Sequence, residues 1–307
     1  MRNEKISLLT FEEFVKQIQS KLSERNAECE INVDKVLKNN DRELTGITLI
    51  KKEYNITPVV YIDPIYQYYL NGYDLEACID KIEHILCNNQ LVGGNEVTSF
   101  VCDFNKVKER IIYEVINTKR NKALLQTLPH REFLDLSIVY KIMSDGILGD
   151  KHKDDVLTIK VTNKIIENWG VTEQELFALA EKNTARLREP FMEDISNVIP
   201  KDLNNVCDGF EQGVMYVLTN TKRINGACVI LNKQFMNEVY KKLGKGFYVI
   251  PSSIHEVIVV GKDTIGENER NINQMIKEVN EFHVEETEIL GDNAYYFDGV
   301  TFSIIEA

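Results

Sequence analysis

Ser252, Ser253, His255 and Glu256 lie close together in the segment PSSIHEVIVV, between two apolar runs. A hydroxyl, an imidazole and a carboxylate are the ingredients of nucleophilic catalysis, with His255 taking the proton of a serine such as Ser252 and Glu256 orienting the ring. Strand geometry works against that assembly. Consecutive residues of a strand project to opposite faces, so Glu256 points away from the His255 ring. The same spacing suits a tight connection in which Pro251 and the serines turn the chain and His255 packs at a sheet edge. A second candidate is TNTKRING, Thr219 to Gly226, with Lys222 and Arg223 near its middle. A cationic loop between strands can clamp an anion, and it can equally be solvated charge on a hairpin. The third cluster is Pro129, His130, Arg131, Glu132 and Asp135, in which His130 is either an acid-base group or a structural histidine.

Binding residues of another kind gather at Tyr61, Tyr66, Tyr68, Tyr69 and Tyr73. Tyrosine is enriched at protein interfaces, so Tyr66, Tyr68 and Tyr69 are the expected contact with a partner protein. The single tryptophan, Trp169, precedes Gly170 and a capping box, which suits a core anchor for the helix that follows. The sequence holds no GxGxxG, GxxxxGK[ST], HExxH or GxSxG, which removes the usual signatures of dinucleotide binding, Walker-type nucleotide binding, zincin proteolysis and esterase chemistry. Six cysteines occur with no CxxC pair and no histidine at zinc-like spacing, so neither a metal nor a cofactor is expected.

Charge narrows the partners. Lys and Arg number 36 against 48 Asp and Glu, a net of -12. From Asp263 onward eleven acidic residues face only Arg270 and Lys277, a net of -9. Such a chain repels phosphate backbones, which makes nucleic acid an unfavourable partner. The acidic C-terminal region is either a solvated face or a docking surface for a basic partner. No run approaches the ~18 apolar residues that span a bilayer, and the N-terminus lacks the pattern of a signal peptide, so a cytoplasmic protein with reduced thiols is expected.

The elements that must position these residues follow from local signals. Thr10 with Glu13 forms a capping box ahead of Phe14, Val15, Ile18 and Leu22, predicting a helix over 11–24. A hairpin follows (Cys29 to Val33, Leu44 to Ile50), then a strand at Thr57 to Ile62, a helix capped by Asp63 before Pro64, and a helix after Asp74 carrying Leu75, Ile79, Ile82 and Leu86. Thr98 to Cys102 and Arg110 to Ile116 read as strands completing the first sheet. The polar stretch ending at Pro129 places a domain boundary near 126, giving domains 1–126 and 127–307. The second half reads as one extended run over Phe133 to Met143, a turn at Asp145-Gly146, a polar segment over Asp150 to Asp155, a return strand over Val156 to Val161, and a helix opened by the Thr172–Glu175 capping box. Pro190 to Asn205 reads as loop. Strands follow at Met215 to Leu218, Ala227 to Leu231, Phe247 to Ile250 and Glu256 to Val260, with a helix over Lys233 to Leu243, a helix around Ile272 to Val279 and a closing hairpin around Asp298-Gly299. Paired strands separated by single helices predict an α+β fold of two lobes, each of mainly antiparallel sheet packed with helices, the first beginning α-β-β-β-α.

The ordered set LTFEEFV, VLKNND-ELTGITL, NITPVVYID, KVKERIIYEVIN, FLDLSIVY, ENWGVTEQELFALAEKNT, MYVLTN-INGACVIL and FYVIPSSIHEVIVV resembles, over nearly the whole chain, an uncharacterised bacterial domain-of-unknown-function family of gut anaerobes. WGVTEQEL and IPSSIHEVIVV are more distantly similar to a second uncharacterised family of Gram-positive bacteria. Neither resemblance implies an activity, a cofactor or a catalytic residue. The opening α-β-β-β-α order also looks like the fold of polypeptide-binding secretion chaperones, an analogy of fold only. The expected function is that of a cytoplasmic, non-enzymatic interaction or accessory protein; the alternative is an enzyme or small-anion-binding protein with a site near His255, Ser252 and Arg223.

Overall fold

The computed structural model describes residues 8–50, 58–88, 94–144, 158–198, 214–265 and 271–305. These form two compact units, one of residues 8–38 and 42–101, the other of residues 39–41, 102–144 and the described residues from 158 onward.

In the first unit, helix α1 (Phe11–Arg25) starts at a reciprocal capping box. Glu13 N–H donates to the Thr10 hydroxyl at 3.3 Å and Thr10 N–H donates to the Glu13 carboxylate at 2.9 Å. Phe14, Ile18 and Leu22 then recur on one face and are fully buried. Strands β1 (Glu30–Leu37) and β2 (Glu43–Ile50) pair antiparallel, and β3 (Val60–Tyr61) adds to the far side of β2. Helices α2 (Ile62–Leu70) and α3 (Leu75–Asn88) press Ile62, Ile65, Ile79, Ile82 and Leu86 into the same core as Ile31, Ile47 and Leu49. Helix α4 (Gly94–Cys102) ends the unit.

The expected α-β-β-β-α order is therefore present, with two local corrections. α2 begins at Ile62, ahead of Asp63-Pro64, because the Asp63 carboxylate is engaged elsewhere, accepting the N–H of Thr45 at 2.7 Å. Residues 98–102 lie in α4 and not in a strand. Val97, Phe100 and Val101 are covered while Thr98 and Ser99 are exposed, the three-to-four spacing of a helix in spite of the β-branched residues.

The second unit contains α5 (Phe104–Val107), capped by Asp103, then β4 (Ile111–Asn117), α6 (Lys122–Leu125), β5 (His130–Phe133), β6 (Leu136–Met143) and β7 (Thr158–Lys160). β4 pairs along its whole length with β6, from Ile111 opposite Ile142 to Asn117 opposite Leu136, so it does not complete the first sheet as its sequence position suggested. This pairing carries residues 102–126 into the second unit. Helices α7 (Asn163–Trp169) and α8 (Glu173–Leu187) follow, joined through Gly170 at φ 67° and the Thr172–Glu175 capping box. Then come β8 (Pro190–Asp194), β9 (Met215–Asn220), α9 (Lys233–Leu243), β10 (Phe247–Ile250), β11 (Val257–Gly261), α10 (Lys262–Ile265), α11 (Ile272–His283), β12 (Tyr295–Phe297) and β13 (Phe302–Ile304). Six of these strands form an antiparallel sheet in the order β13-β12-β10-β11-β9-β8.

Three expectations change here. The run 133–143 is broken at Leu134-Asp135: Phe133 ends β5, and β6 folds back on β5 as a hairpin. Pro190 to Asp194 is an edge strand, not loop. Ala227 to Leu231 belongs to a 3-10 helix, Gly226–Leu231, in which residues 226–230 are all buried. An apolar run covered on every side has no periodicity to separate strand from helix. The expected Asp145-Gly146 turn, the segment Asp150–Asp155, the start of the return strand at Val156 and Cys207 fall outside the described residues.

Asparagine side chains, those of Asn117 and Asn280 buried and that of Asn40 half-buried, hold the loop before β12. The amide groups of Asn117, Asn280 and Asn40 donate to the backbone carbonyls of Leu290 (3.1 Å), Gly291 (2.9 Å) and Ile289 (2.9 Å). Asn273 bridges Ile305 O and Ala294 N, and Arg120 binds the Asp292 carboxylate at 2.8 Å.

Candidate functional site

A cleft of about 560 Å³ opens in the second unit between the β5–β6 hairpin, α8, α9 and the β12–β13 hairpin. Its walls are made mainly of Phe133, Leu134, Phe177, Met236, Phe297 and Phe302. The rings form a continuous surface: Phe133 meets Phe302 edge-on at 5.6 Å between centroids, and Phe302 meets Phe297 at 4.6 Å. Val300, 85% exposed, stands at the rim beside Thr301. A volume in this range suits a ligand or the side chains of a partner segment. The polar groups of the lining are Arg131, Glu132, Glu181, Lys233, Asn237 and Thr301; among the described lining residues there is no imidazole and no thiol.

Two features fix the shape of this cleft. Leu134 occupies the bend between β5 and β6 at φ 57°, a left-handed conformation that a branched apolar side chain adopts only when its surroundings impose it. Its neighbour Asp135 is held by the Tyr295 hydroxyl (2.7 Å) and the Asn293 amide (3.0 Å), and the Asp135 carbonyl accepts Thr118 N–H. Burial beside this carboxylate pushes the Tyr295 phenol well above its ordinary range, so it remains a donor. The second feature is Arg131, whose guanidinium lies 4.1 Å from the Phe177 ring centroid and pairs with Glu173 at 2.9 Å. Glu173 also accepts a short hydrogen bond from Tyr140, whose phenol is raised by burial and then by that carboxylate. The bond to Glu173 likewise raises Arg131, fixing a permanent cation at the cleft edge.

The sequence-predicted catalytic residues lie elsewhere. His255 Nδ1 accepts Asn225 N–H at 3.1 Å, and Nε2 faces the Glu288 carboxylate at 3.4 Å. The His255 carbonyl takes Thr219 Oγ1 at 2.7 Å and Gly226 N–H at 2.9 Å. Both ring nitrogens are thus engaged, and the residue pins three segments together. Glu288, and not the adjacent Glu256, is the carboxylate that meets the imidazole. The His255 backbone N–H donates to the Ser253 hydroxyl at 3.1 Å, while Ser252 is half-buried beside it. The loop of Lys222 and Arg223 is adjacent through Asn225 and Gly226, but Arg223 turns to a close ion pair with Glu193 and lies against Phe191. None of His255, Ser252, Glu256, Lys222 and Arg223 lines the cleft. The third cluster does reach it, through Arg131 and Glu132; His130 Nδ1 instead lies 2.9 Å from the Leu128 carbonyl.

The tyrosine group divides. Tyr66 packs on Phe11 and Phe14 and donates its hydroxyl to Leu9 O, while Tyr69 is buried against Phe14 and accepts Leu9 N–H. Tyr68 stacks on Tyr73 with Lys81 above it, and Tyr73 is 49% exposed. Tyr66 and Tyr69 therefore serve the interior of the first unit, and Tyr68 with Tyr73 presents ring surface to solvent. Trp169 is half-buried at the end of α7 and packs on Phe104 of α5 at 5.5 Å, a contact with an earlier helix and not with the α8 entry expected from its position.

Sequence reasoning missed Phe133, Phe177, Phe297 and Phe302 as a group, because they come from three places far apart in the chain: β5, α8 and the β12–β13 hairpin. The only local signal was Val300, an apolar residue directly after a turn. Among the described residues no group of three or more His, Cys, Asp and Glu could hold a metal ion, and no helix is long and apolar enough to cross a membrane.

The model of a family described as a family of unknown function (DUF5688) matches residues 11–299 of the 307. No curated protein and no solved structure matches the chain.

Proposed function

The chain belongs to the family of unknown function DUF5688, and from that premise we propose that it is a cytoplasmic, non-enzymatic interaction protein of bacteria whose second unit receives an apolar segment of another polypeptide in the phenylalanine-lined cleft. The observation that carries this reading is the lining itself: a ladder of aromatic rings with charged groups confined to the rim matches the dry centre and polar margin of a protein interface. The rim also favours an extended segment. β5 and β13 each lie at the end of a strand order, so a peptide can add to a sheet edge while alternate side chains enter the cleft.

A displayed library of random peptides tests the reading. Selection on the whole protein should enrich sequences with two or more aromatic or aliphatic residues at alternate positions. Val300→Glu, a change at an exposed rim residue, should weaken the selected peptides by about tenfold or more, while Tyr73→Ala leaves them unchanged. Failure to enrich any such sequence, or equal binding by the Val300→Glu protein, removes the proposal.

A further inference from the structure

Helix α11 is apolar on two sides. Ile272 and Ile276 point inward and are buried, with Asn273 and Asn280 beside them. Met275, Val279 and Phe282 recur at i, i+4 and i+7, which puts them on a second stripe, and they are 49%, 42% and 71% exposed. An ordinary surface helix has one apolar face, turned to the core, and charge on the other. Here the outward face carries a phenylalanine that touches little of its own protein.

The residues around the stripe say what fits it. Gln274, Glu278 and Glu281 run along its solvent-facing side, and Glu285 and Glu286 continue the line beyond the helix. Lys277 lies on the opposite side of the helix, away from the stripe. This is also the most acidic part of the chain, with eleven carboxylates against two cations from Asp263 onward. A second copy of the protein would bring the same carboxylates against these, and an anionic lipid surface or a nucleic acid would be repelled in the same way.

We propose that the outer face of α11 is a docking surface for a basic amphipathic helix of another protein, which lays its apolar side on Met275, Val279 and Phe282 and its lysines and arginines on Glu278, Glu281 and Glu285. Anchors at i, i+4 and i+7 are the spacing at which one helix reads another. Phe282 is the central anchor, and the carboxylates set charge preference and approach rate. This surface is separate from the phenylalanine-lined cleft, so either proposal can fail without the other.

A labelled peptide of about 15 residues, built from leucine at one helical face and lysine elsewhere, is the probe. Fluorescence anisotropy with the full chain should show saturable binding that weakens as salt rises. Phe282→Ser and the pair Glu278→Lys with Glu281→Lys should each weaken it by about tenfold or more, and Val300→Glu should leave it unchanged. A control peptide with glutamate in place of lysine should not bind. These positions are exposed, so Trp169 fluorescence and the unfolding midpoint should be unaltered. Absence of saturable binding, or binding indifferent to both α11 variants, overturns the proposal. A concentration-dependent dimer that Phe282→Ser abolishes would overturn it too, assigning the face to a second copy.

Discussion

The two units are stabilised by different kinds of interior. The first has a core of aliphatic and aromatic side chains in which Thr45 is the only buried polar residue among those described. The second buries Asn117, Asn121, Asn183, Asn273, Asn280, Ser137, Thr184 and Arg188 among its strands and helices, and largely encloses the ion pair of Lys141 and Glu114 at 2.6 Å. An apolar core tolerates repacking as long as volume is kept, whereas a buried polar network fixes one arrangement because each unmet donor or acceptor is costly. The cleft and the α11 stripe both lie in the unit with the polar interior. A surface that must leave rings exposed without collapsing onto them benefits from such rigid support.

The contrast makes graded predictions, beginning with the ion pair. Lys141→Met leaves the Glu114 carboxylate enclosed without its cation and should cost about 3–5 kcal/mol. Denaturant unfolding followed through Trp169, the only tryptophan and a residue of the second unit, would measure it. A loss under 1 kcal/mol would mean that Glu114 reaches water readily. Next is Asn280→Leu, which keeps the volume but strands the Gly291 carbonyl, and should cost about 1–3 kcal/mol with faster amide exchange in the segment before β12. In the first unit Ile18→Val should cost only about 0.5–1.5 kcal/mol, with no change in exchange at β10 or β12. If it exceeded the Asn280 variant, the division between the two interiors would be misplaced.

An effect absent near neutrality concerns pH. Burial pushes the Cys228 thiol up from 9.0 to about 12. A group that is neutral when protonated and has its pKa raised on folding contributes stability that is complete below about pH 9, and that is lost as pH rises toward 12. Alkaline unfolding should therefore steepen above pH 9, and Cys228→Ala should flatten that limb without altering the curve near neutrality.

Much of the fold was legible because its signals are local. Thr10 with Glu13, Thr172 with Glu175, and Gly244 mark helix ends by residues that act within one turn, and α9 and β10 begin and end where the sequence put them. What failed was non-local. Nothing in Ile111 to Asn117 says that its partner is β6 and not the preceding sheet, and the buried run Ala227 to Leu231 offers no polar face to distinguish a helix from a strand. The site was least legible. Polar clusters drew attention to His255 and Arg223, whereas the cleft is built from phenylalanines that look like ordinary core residues until Leu134 and Gly299 turn their strands toward one another.

The contrast also sets how the molecule ages. An asparagine followed by glycine loses its side-chain amide when the glycine nitrogen attacks the side-chain carbonyl, which requires that the backbone swing freely. Asn71-Gly72 is exposed, with nothing within 4 Å of where a Gly72 Cβ would stand, while Gly226 is enclosed by Thr219 Oγ1, the His255 carbonyl and Asn220 N. In stored protein the first site therefore converts to aspartate and isoaspartate while Asn225 keeps its amide, so the mass gain at residue 71 acts as a clock for time in solution and any gain at residue 225 records time spent unfolded.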